Sequence, residues 1–278
     1  MITKIKIGDL ELTPDNGYLI TAIEDLGYKT KYVASSILYL HGSKLGDAYF
    51  QNRTLAFELI VGGDTASQKV ENKNNLFKIL TISEHSNDLL RVEITINNSY
   101  TVYINGIVRE VISPQVAGQI FHSAISFVME TESPFFKDIN TYSTTINLTK
   151  GGGGAIPMAI PFAMNAGSTG YTPINNGGNV FVFPKVYFYG QMTNPVLTNI
   201  TTGKSISLAV TLATVANYYV IDTYERTVLD ESGVNKRDKM TGDFLTLLTG
   251  NNDFQLLTDN PAETGYVQIV YENYYIGL

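Results

Sequence analysis

Apolar and polar residues alternate along most of this chain, which is the pattern of β-strands that bury one face. The clearest run covers residues 55–61, where Leu55, Phe57 and Leu59 alternate with less apolar neighbours. Similar runs cover residues 90–96, 100–104, 120–129, 180–189, 205–212, 218–223 and 266–271. Residues 1–7 alternate as well and predict a first strand rather than a signal peptide. Many short strands predict an all-β sandwich or barrel.

One segment has helical spacing, from about residue 65 to residue 80. Thr65 and Gln68 form a capping box at its start. The apolar residues expected along one side of this helix are Val70, Leu76, Phe77 and Leu80. Residues 243–248 fit either a helical turn or a strand, and the pattern does not decide between them.

Two dipeptides predict turns between strands. Asn105-Gly106 is a strong hairpin signal, because both residues tolerate a left-handed backbone. Ser232-Gly233 predicts a second turn, after the short apolar run 227–229.

The chain is long enough for two domains, each with its own core. Ser133-Pro134-Phe135-Phe136 ends the first strand-rich half, and a run of four glycines follows at 151–154. Glycine runs are typical of linkers and loops. We therefore predict one domain at 1–139 and a second at 140–278, with a glycine-rich loop at 150–178.

The charge and the residue composition exclude several classes of function. The net charge is −7 and the isoelectric point is near 5.0, so no basic field attracts nucleic acid or anionic lipid. The longest apolar stretch, 155–164, contains two prolines and is too short to cross a bilayer. The chain has no cysteine, which excludes disulfides and thiolate metal sites. We predict no cofactor and no metal.

Motifs for phosphate, metal and acyl-transfer chemistry are incomplete. Gly203-Lys204-Ser205 resembles the end of a phosphate-binding loop, but Thr198 stands where that loop needs glycine. Residues 230–235 resemble a calcium loop with its glycine misplaced. The three histidines, His41, His85 and His122, have no partners at ligand spacing.

Asp222 and Glu225 are the one carboxylate pair worth weighing for glycoside hydrolysis. Such a reaction needs one carboxyl with a raised pKa, and the neighbouring cation Arg226 favours the opposite shift. We interpret the pair as a solvated ion pair at a hairpin and predict that the protein is not an enzyme.

The order of elements resembles the Dit-type distal tail protein family of long-tailed bacteriophages. In the first half the resemblance rests on the strand 52–62, the single helix after it and the closing 133–136 segment. In the second half it rests on the spacing of turn and strand residues. These residues are Gly178-Asn179-Val180, Phe183-Pro184-Lys185-Val186, Asn194-Pro195, Thr202-Gly203, Ile221-Asp222-Thr223 and Gly250-Asn251-Asn252.

The resemblance implies a mainly β protein with two domains. The first would be a β-sandwich-like ring domain with one α-helix, and the second a galectin-like β-sandwich. Copies would close into a ring, usually a hexamer, at the distal end of the virion's tail, after synthesis in the cytoplasm of the bacterial host. The implied partners are the major tail protein, a tail-associated lysin or fibre protein, and receptor-binding proteins.

Weak surface charge and abundant tyrosine, with 16% charged residues and 18 Tyr, fit a buried interface or simply a strand-rich chain. For the contact between copies we expect contributions from Arg53, Phe57, Leu59 and Phe77. The alternative function is a carbohydrate-binding module that contacts host cell-surface glycan. Its stacking faces would come from Tyr218, Tyr219, Tyr274 and Tyr275.

Overall fold

A computed structural model describes residues 2–36, 43–85, 89–114, 120–148, 170–260 and 262–278. Their contacts divide the chain into two compact units, Met1–Ile139 with Tyr275–Leu278, and Asn140–Tyr274. Both units are built from strands, and the described residues contain one α-helix, which confirms the mainly β fold class. None of the described helices is long and apolar enough to span a membrane. The predicted glycine run at 151–154 lies outside the described residues.

The first unit is an antiparallel sheet with one helix. Its strands are β1 (Ile2–Ile7), β2 (Leu10–Leu12), β3 (Tyr18–Glu24), β4 (Thr30–Ser36), β5 (Ser43–Phe50), β6 (Thr54–Gly62), β7 (Leu90–Ile96), β8 (Tyr100–Ile112) and β9 (His122–Thr131). The helix α1 is Ala66–His85, and β10 (Phe136–Asn147) begins in this unit and continues into the second. The main sheet has the order β3-β6-β9-β8-β7-β1-β2, while β4 and β5 pair with each other as a separate ribbon.

The core of the first unit lies between the inner face of this sheet and α1. Leu76 and Leu80 of the helix are fully buried there, as predicted, whereas Val70 is 51% exposed and lies off the apolar side. At the start of α1 the amide of Gln68 donates to Thr65 Oγ1 at 3.1 Å. The Gln68 side chain accepts the amide of Asp64 at 3.2 Å, so the predicted capping box closes one residue earlier than its standard form.

The hairpin predicted at Asn105-Gly106 is wrong, because both residues lie inside β8. The turn between β7 and β8 is instead at Asn97 and Asn98, which both have positive φ. β8 pairs with β7 up to Gly106 and with β9 from Gly106 onward. A Cβ atom at Gly106 would lie 2.5 Å from the carbonyl oxygen of Glu130. The glycine is therefore needed for close strand approach and not for a turn.

The second unit contains two facing sheets. Its strands are β11 (Thr172–Asn176), β12 (Lys185–Tyr189), β13 (Met192–Thr193), β14 (Val196–Asn199), β15 (Lys204–Leu208), β16 (Thr211–Leu212), β17 (Tyr219–Asp222), β18 (Thr227–Asp230), β19 (Met240–Gly242), β20 (Gly250–Leu257) and β21 (Tyr266–Tyr275). One sheet runs β18-β17-β12-β21-β10 and the other β11-β20-β14-β15-β19. Apolar residues of both sheets share one buried cluster, so the unit is a β-sandwich.

Local structure in the second unit departs from the prediction in two places. Strand β11 lies inside the segment predicted as an irregular loop, and its Ile174 is buried in the core. Residues 243–248 are neither helix nor regular strand; they run extended, with Leu245 and Leu247 buried and Leu247 bridged to Val182. The turn predicted at Ser232-Gly233 is present, with Gly233 at positive φ.

Candidate interaction surfaces

Arg53, predicted as an interface residue, is an internal tie of the first unit. It is only 3% exposed, and its guanidinium donates to the carbonyls of Pro134 at 2.6 Å and Leu26 at 3.0 Å, and to that of Ile276. It also lies 4.7 Å from the centre of the Phe136 ring. Burial lowers the pKa of Arg53 to about 10, so the side chain keeps its charge at neutral pH. Arg53 thus holds three chain segments together through their carbonyls.

Phe57 and Leu59 also face the core of their own unit. They are 1% and 2% exposed, and Phe57 stacks on Phe127 with ring centres 4.6 Å apart. Phe77 is partly buried against the same core, with Lys73 Nζ 5.4 Å from its ring centre. These side chains are therefore occupied inside the unit. The exposed positions on β6 include Thr54 and Glu58.

Strand edges are available elsewhere in the first unit. β6 is paired on both sides, by β3 and β9, whereas β3 has β6 as its one partner among the described strands. Among the described strands, β4 and β5 pair only with each other. A two-stranded ribbon alone is marginally stable in water, and open edges invite pairing with another chain. The first unit therefore offers backbone edges to a partner.

The free edge of β3 borders a groove of about 380 Å³. Ile20 and Ile23 line it from β3, and Ile2 and Leu12 line it from the other side. At the base of the ribbon, Tyr28 is 58% exposed and packs its ring edge-on against Phe50, with ring centres 5.8 Å apart. These features place apolar and aromatic surface beside unpaired strands.

Asp222, one of the two carboxylates weighed for glycoside hydrolysis, is occupied by a turn and an ion pair. Asp222 accepts the amides of Tyr224 and Glu225, both at 3.0 Å, and pairs with Lys185 at 3.0 Å rather than with Arg226. Burial by itself would raise the pKa of Asp222, but these hydrogen bonds and the Lys185 charge together lower it. Asp222 is a turn-capping carboxylate with the opposite pKa shift from a general acid.

The other candidate motifs form turns or lie alone. Gly203 is in a turn at positive φ, and Lys204 begins strand β15 instead of a helix. Asp230 Oδ1 accepts the amides of Ser232 and Val234 and so closes its own turn. Across the described residues, no group of three or more acidic or histidine side chains is arranged to hold a metal. His41 lies outside the described residues, and His122 is exposed at the start of β9.

Four tyrosines of the second unit form one cluster that the sequence analysis found only in part. Tyr189 contacts Tyr187, Tyr218 and Tyr266, with ring centres 6.0, 5.4 and 5.4 Å apart. Of the four tyrosines predicted for sugar stacking, only Tyr218 belongs to this cluster. Tyr219 and Tyr274 pack against the sandwich core, and Tyr275 packs edge-on against Tyr100 in the first unit.

Solved structures supply the comparison that decides the fold. The crystal structure of SPP1 Dit matches 98% of this chain and 98% of its own, with a TM-score of 0.65 and 13% identity. The chain has the fold of SPP1 Dit. This confirms, at the level of the fold, the resemblance inferred from the sequence. SPP1 Dit is a hub of the adsorption apparatus in phages that infect Gram-positive bacteria.

A chain of the phage P2 baseplate in its activated conformation with Ca shares this Dit fold more distantly. It is 10% identical, and the match covers 99% of both chains with a TM-score of 0.50. No family model and no curated protein matches the sequence. The Dit fold is therefore recognised through its architecture.

Proposed function

We propose that this chain is the structural hub of a phage tail tip or baseplate, forming a ring that joins the tail tube to the adhesion apparatus. The observation that carries this proposal is the match to SPP1 Dit over 98% of both chains. A match of that extent includes both units, so it goes beyond one common β-sandwich. The subunit would act at the distal end of the tail in the virion.

The unpaired strands of the first unit support assembly into a ring. The β3 edge and the β4–β5 ribbon are different surfaces, so a contact between them is head-to-tail. Head-to-tail contacts close into a ring when the repeated rotation divides a full turn. We propose six copies, with the tail tube on one side of the ring and the lysin or fibre protein on the other. Receptor-binding proteins would attach at the edge.

A non-catalytic role is part of the same proposal. The strongest catalytic candidate, Asp222, has its carboxylate occupied by two amides and Lys185. The buried carboxylate Glu263 is likewise occupied, by the amide and hydroxyl of Thr193 at 2.8 and 2.7 Å. Asp222 holds a turn in place, and Glu263 joins two segments that are 70 residues apart.

Native mass spectrometry of the purified chain tests the ring, with negative-stain imaging of the particles. We expect six copies and a ring with a central opening. Tyr49 is 50% exposed on β5, so Tyr49→Asp places a charge on the ribbon. The variant should weaken assembly about tenfold or more, because a charge buried at a contact without a partner is costly.

Tyr224→Asp is the matched control, since Tyr224 is 61% exposed on the second unit. It should assemble as the unmodified chain does. A chain that stays monomeric at high micromolar concentration, alone and on added tail tubes, would contradict the ring. Equal assembly of the Tyr49 and Tyr224 variants would contradict the role of the ribbon.

A further inference from the structure

The tyrosine cluster of the second unit lies on the outer face of one sheet of the sandwich. Val186 and Phe188 are buried in the core, so Tyr187 and Tyr189, which alternate with them on β12, point the other way. The register pairs Tyr189 with Tyr266 of β21, on the same face. We call Tyr187, Tyr189, Tyr218 and Tyr266 the tyrosine face.

The hydroxyls of the tyrosine face make no hydrogen bonds to the described residues. Burial, and then the neighbouring phenols, raise the pKa of Tyr189, so its hydroxyl stays neutral at physiological pH. The face therefore combines aromatic carbon with uncharged donors and acceptors.

The polar groups beside the tyrosine face are an amide and a closed ion pair. Gln268, opposite Tyr187, donates its amide to Ser143 Oγ at 2.8 Å. Lys185, two residues before Tyr187 on β12, is paired with Asp222 at 3.0 Å. Because the charge of Lys185 is already balanced, the face favours a neutral ligand rich in hydroxyls.

The exposed area of the tyrosine face fits a small ligand better than a protein partner. Each of the four side chains is only partly exposed, and an aromatic side chain carries about 150–250 Å² in all, so together they offer on the order of 300 Å² at most. A stable protein contact needs about 800 Å² from each partner. The available area corresponds instead to one or two sugar rings.

We propose that the tyrosine face binds a neutral saccharide. A pyranose has an apolar C–H face that packs on aromatic rings and a rim of hydroxyls that bonds to phenols and to the Gln268 amide. The strand pairing fixes the rings in place, which lowers the entropy cost of binding. This site is independent of ring assembly, because it does not use the ribbon or the β3 edge.

Saturation-transfer NMR on the full chain tests the site, with the methyl glycosides of glucose, galactose, rhamnose and N-acetylglucosamine as probes. We expect transfer to at least one probe at millimolar concentration. Tyr189→Leu keeps an apolar side chain but removes the central ring, and should weaken binding about tenfold or more. Tyr266→Phe keeps the ring and removes one hydroxyl, and should weaken binding severalfold.

Tyr224→Ala is the control, since Tyr224 is 61% exposed near the other end of β12 and β17. It should bind as the unmodified chain does, and circular dichroism should show all variants folded. The proposal is overturned if no probe receives saturation, or if Tyr189→Leu binds as well as the unmodified chain. It is equally overturned if Tyr189→Leu changes the assembled mass but not saccharide binding, which would make the face a protein contact. A monomeric result in the ring experiment leaves these outcomes unchanged.

Discussion

Arg53 in the first unit and Asn252 in the second bond to groups at very different distances along the chain. In the first unit, Arg53 bonds to carbonyls that are 27, 81 and 223 residues away in sequence. In the second, Asn252 accepts the amide and donates to the carbonyl of Leu248, four residues away, and also donates to Gly250. Arg53 is thus a long-range tie, whereas these bonds of Asn252 close a local turn.

Both units have open strand edges. The first leaves β3 and the β4–β5 ribbon without an outer partner among the described strands. In the second, β18, β11 and β19 end their sheets, and β13 and β16 pair only with each other. The contrast between Arg53 and Asn252 is therefore one of sequence distance and not of open edges. Four substitutions probe this contrast, in order of expected effect.

The largest effect is expected from Arg53→Met. Three partly buried carbonyls lose their donor and Arg53 itself is 3% exposed, so the free energy of unfolding should fall by about 4 kcal/mol. Urea unfolding measures the loss, and hydrogen exchange should show faster exchange at residues 275–278. Arg109→Met is the control; Arg109 is 61% exposed in an ion pair with Glu130 and should change stability by about 0.5 kcal/mol or less. Equal losses of stability in the two variants would mean that the Arg53 hydrogen bonds do not hold these segments together.

Gly106→Ala should cost the first unit about 3 kcal/mol, because the added Cβ meets the carbonyl of Glu130 and forces β8 away from β9. Thermal unfolding of the full chain measures the change, with hydrogen exchange in β8 and β9 to locate it. Gly27→Ala is the control, since a Cβ there has no neighbour within 4 Å. An unchanged stability of Gly106→Ala would show that β8 and β9 adjust to the added Cβ without cost.

Asn252→Ala tests the local ties of the second unit and should cost about 2 kcal/mol, because a buried amide and two carbonyls lose their partner. The exposed neighbour Asn251, which accepts from Asn175, is the control and should cost less than about 0.5 kcal/mol. Faster hydrogen exchange should stay within the turn. Exchange that spread to both sheets would break the contrast between local and long-range ties.

Asp222→Asn should have the smallest effect, about 1 kcal/mol or less at pH 7. The pKa of Asp222 in the folded state is lowered below 3.8, so ionised Asp222 stabilises the fold above that pH, and the contribution disappears as the pH falls through the folded-state value. Urea unfolding at several pH values should show the difference from the unmodified chain shrinking in acid. A difference that grew in acid would contradict the assignment.

Strand and helix positions followed from the sequence where one face is buried. Residues 90–96 form β7 as predicted, and the helix begins at Ala66, next to the predicted start. Each of these segments has a periodicity that matches its burial, so the local pattern is sufficient.

The local pattern does not show contacts between segments that are distant in sequence. Asn105-Gly106 has the composition of a turn, but Gly106 serves a crossing with β9 some 25 residues later. Arg53 has the character of a surface residue, and only the carbonyls of three remote segments make its burial possible. The tyrosine face shows the same problem, since the spacing of Tyr187 and Tyr189 is visible in the sequence but the register that adds Tyr266 is not.

The chain passes between the two units twice, at residues 139–140 and 274–275. Two peptide connections therefore join the two units. Proteolytic cleavage near residue 139 would leave the second connection intact. The C-terminal tail would still be held by the hydrogen bond from the Arg53 guanidinium to the carbonyl of Ile276. A chain cut near residue 139 would therefore stay joined through the segment that Arg53 holds.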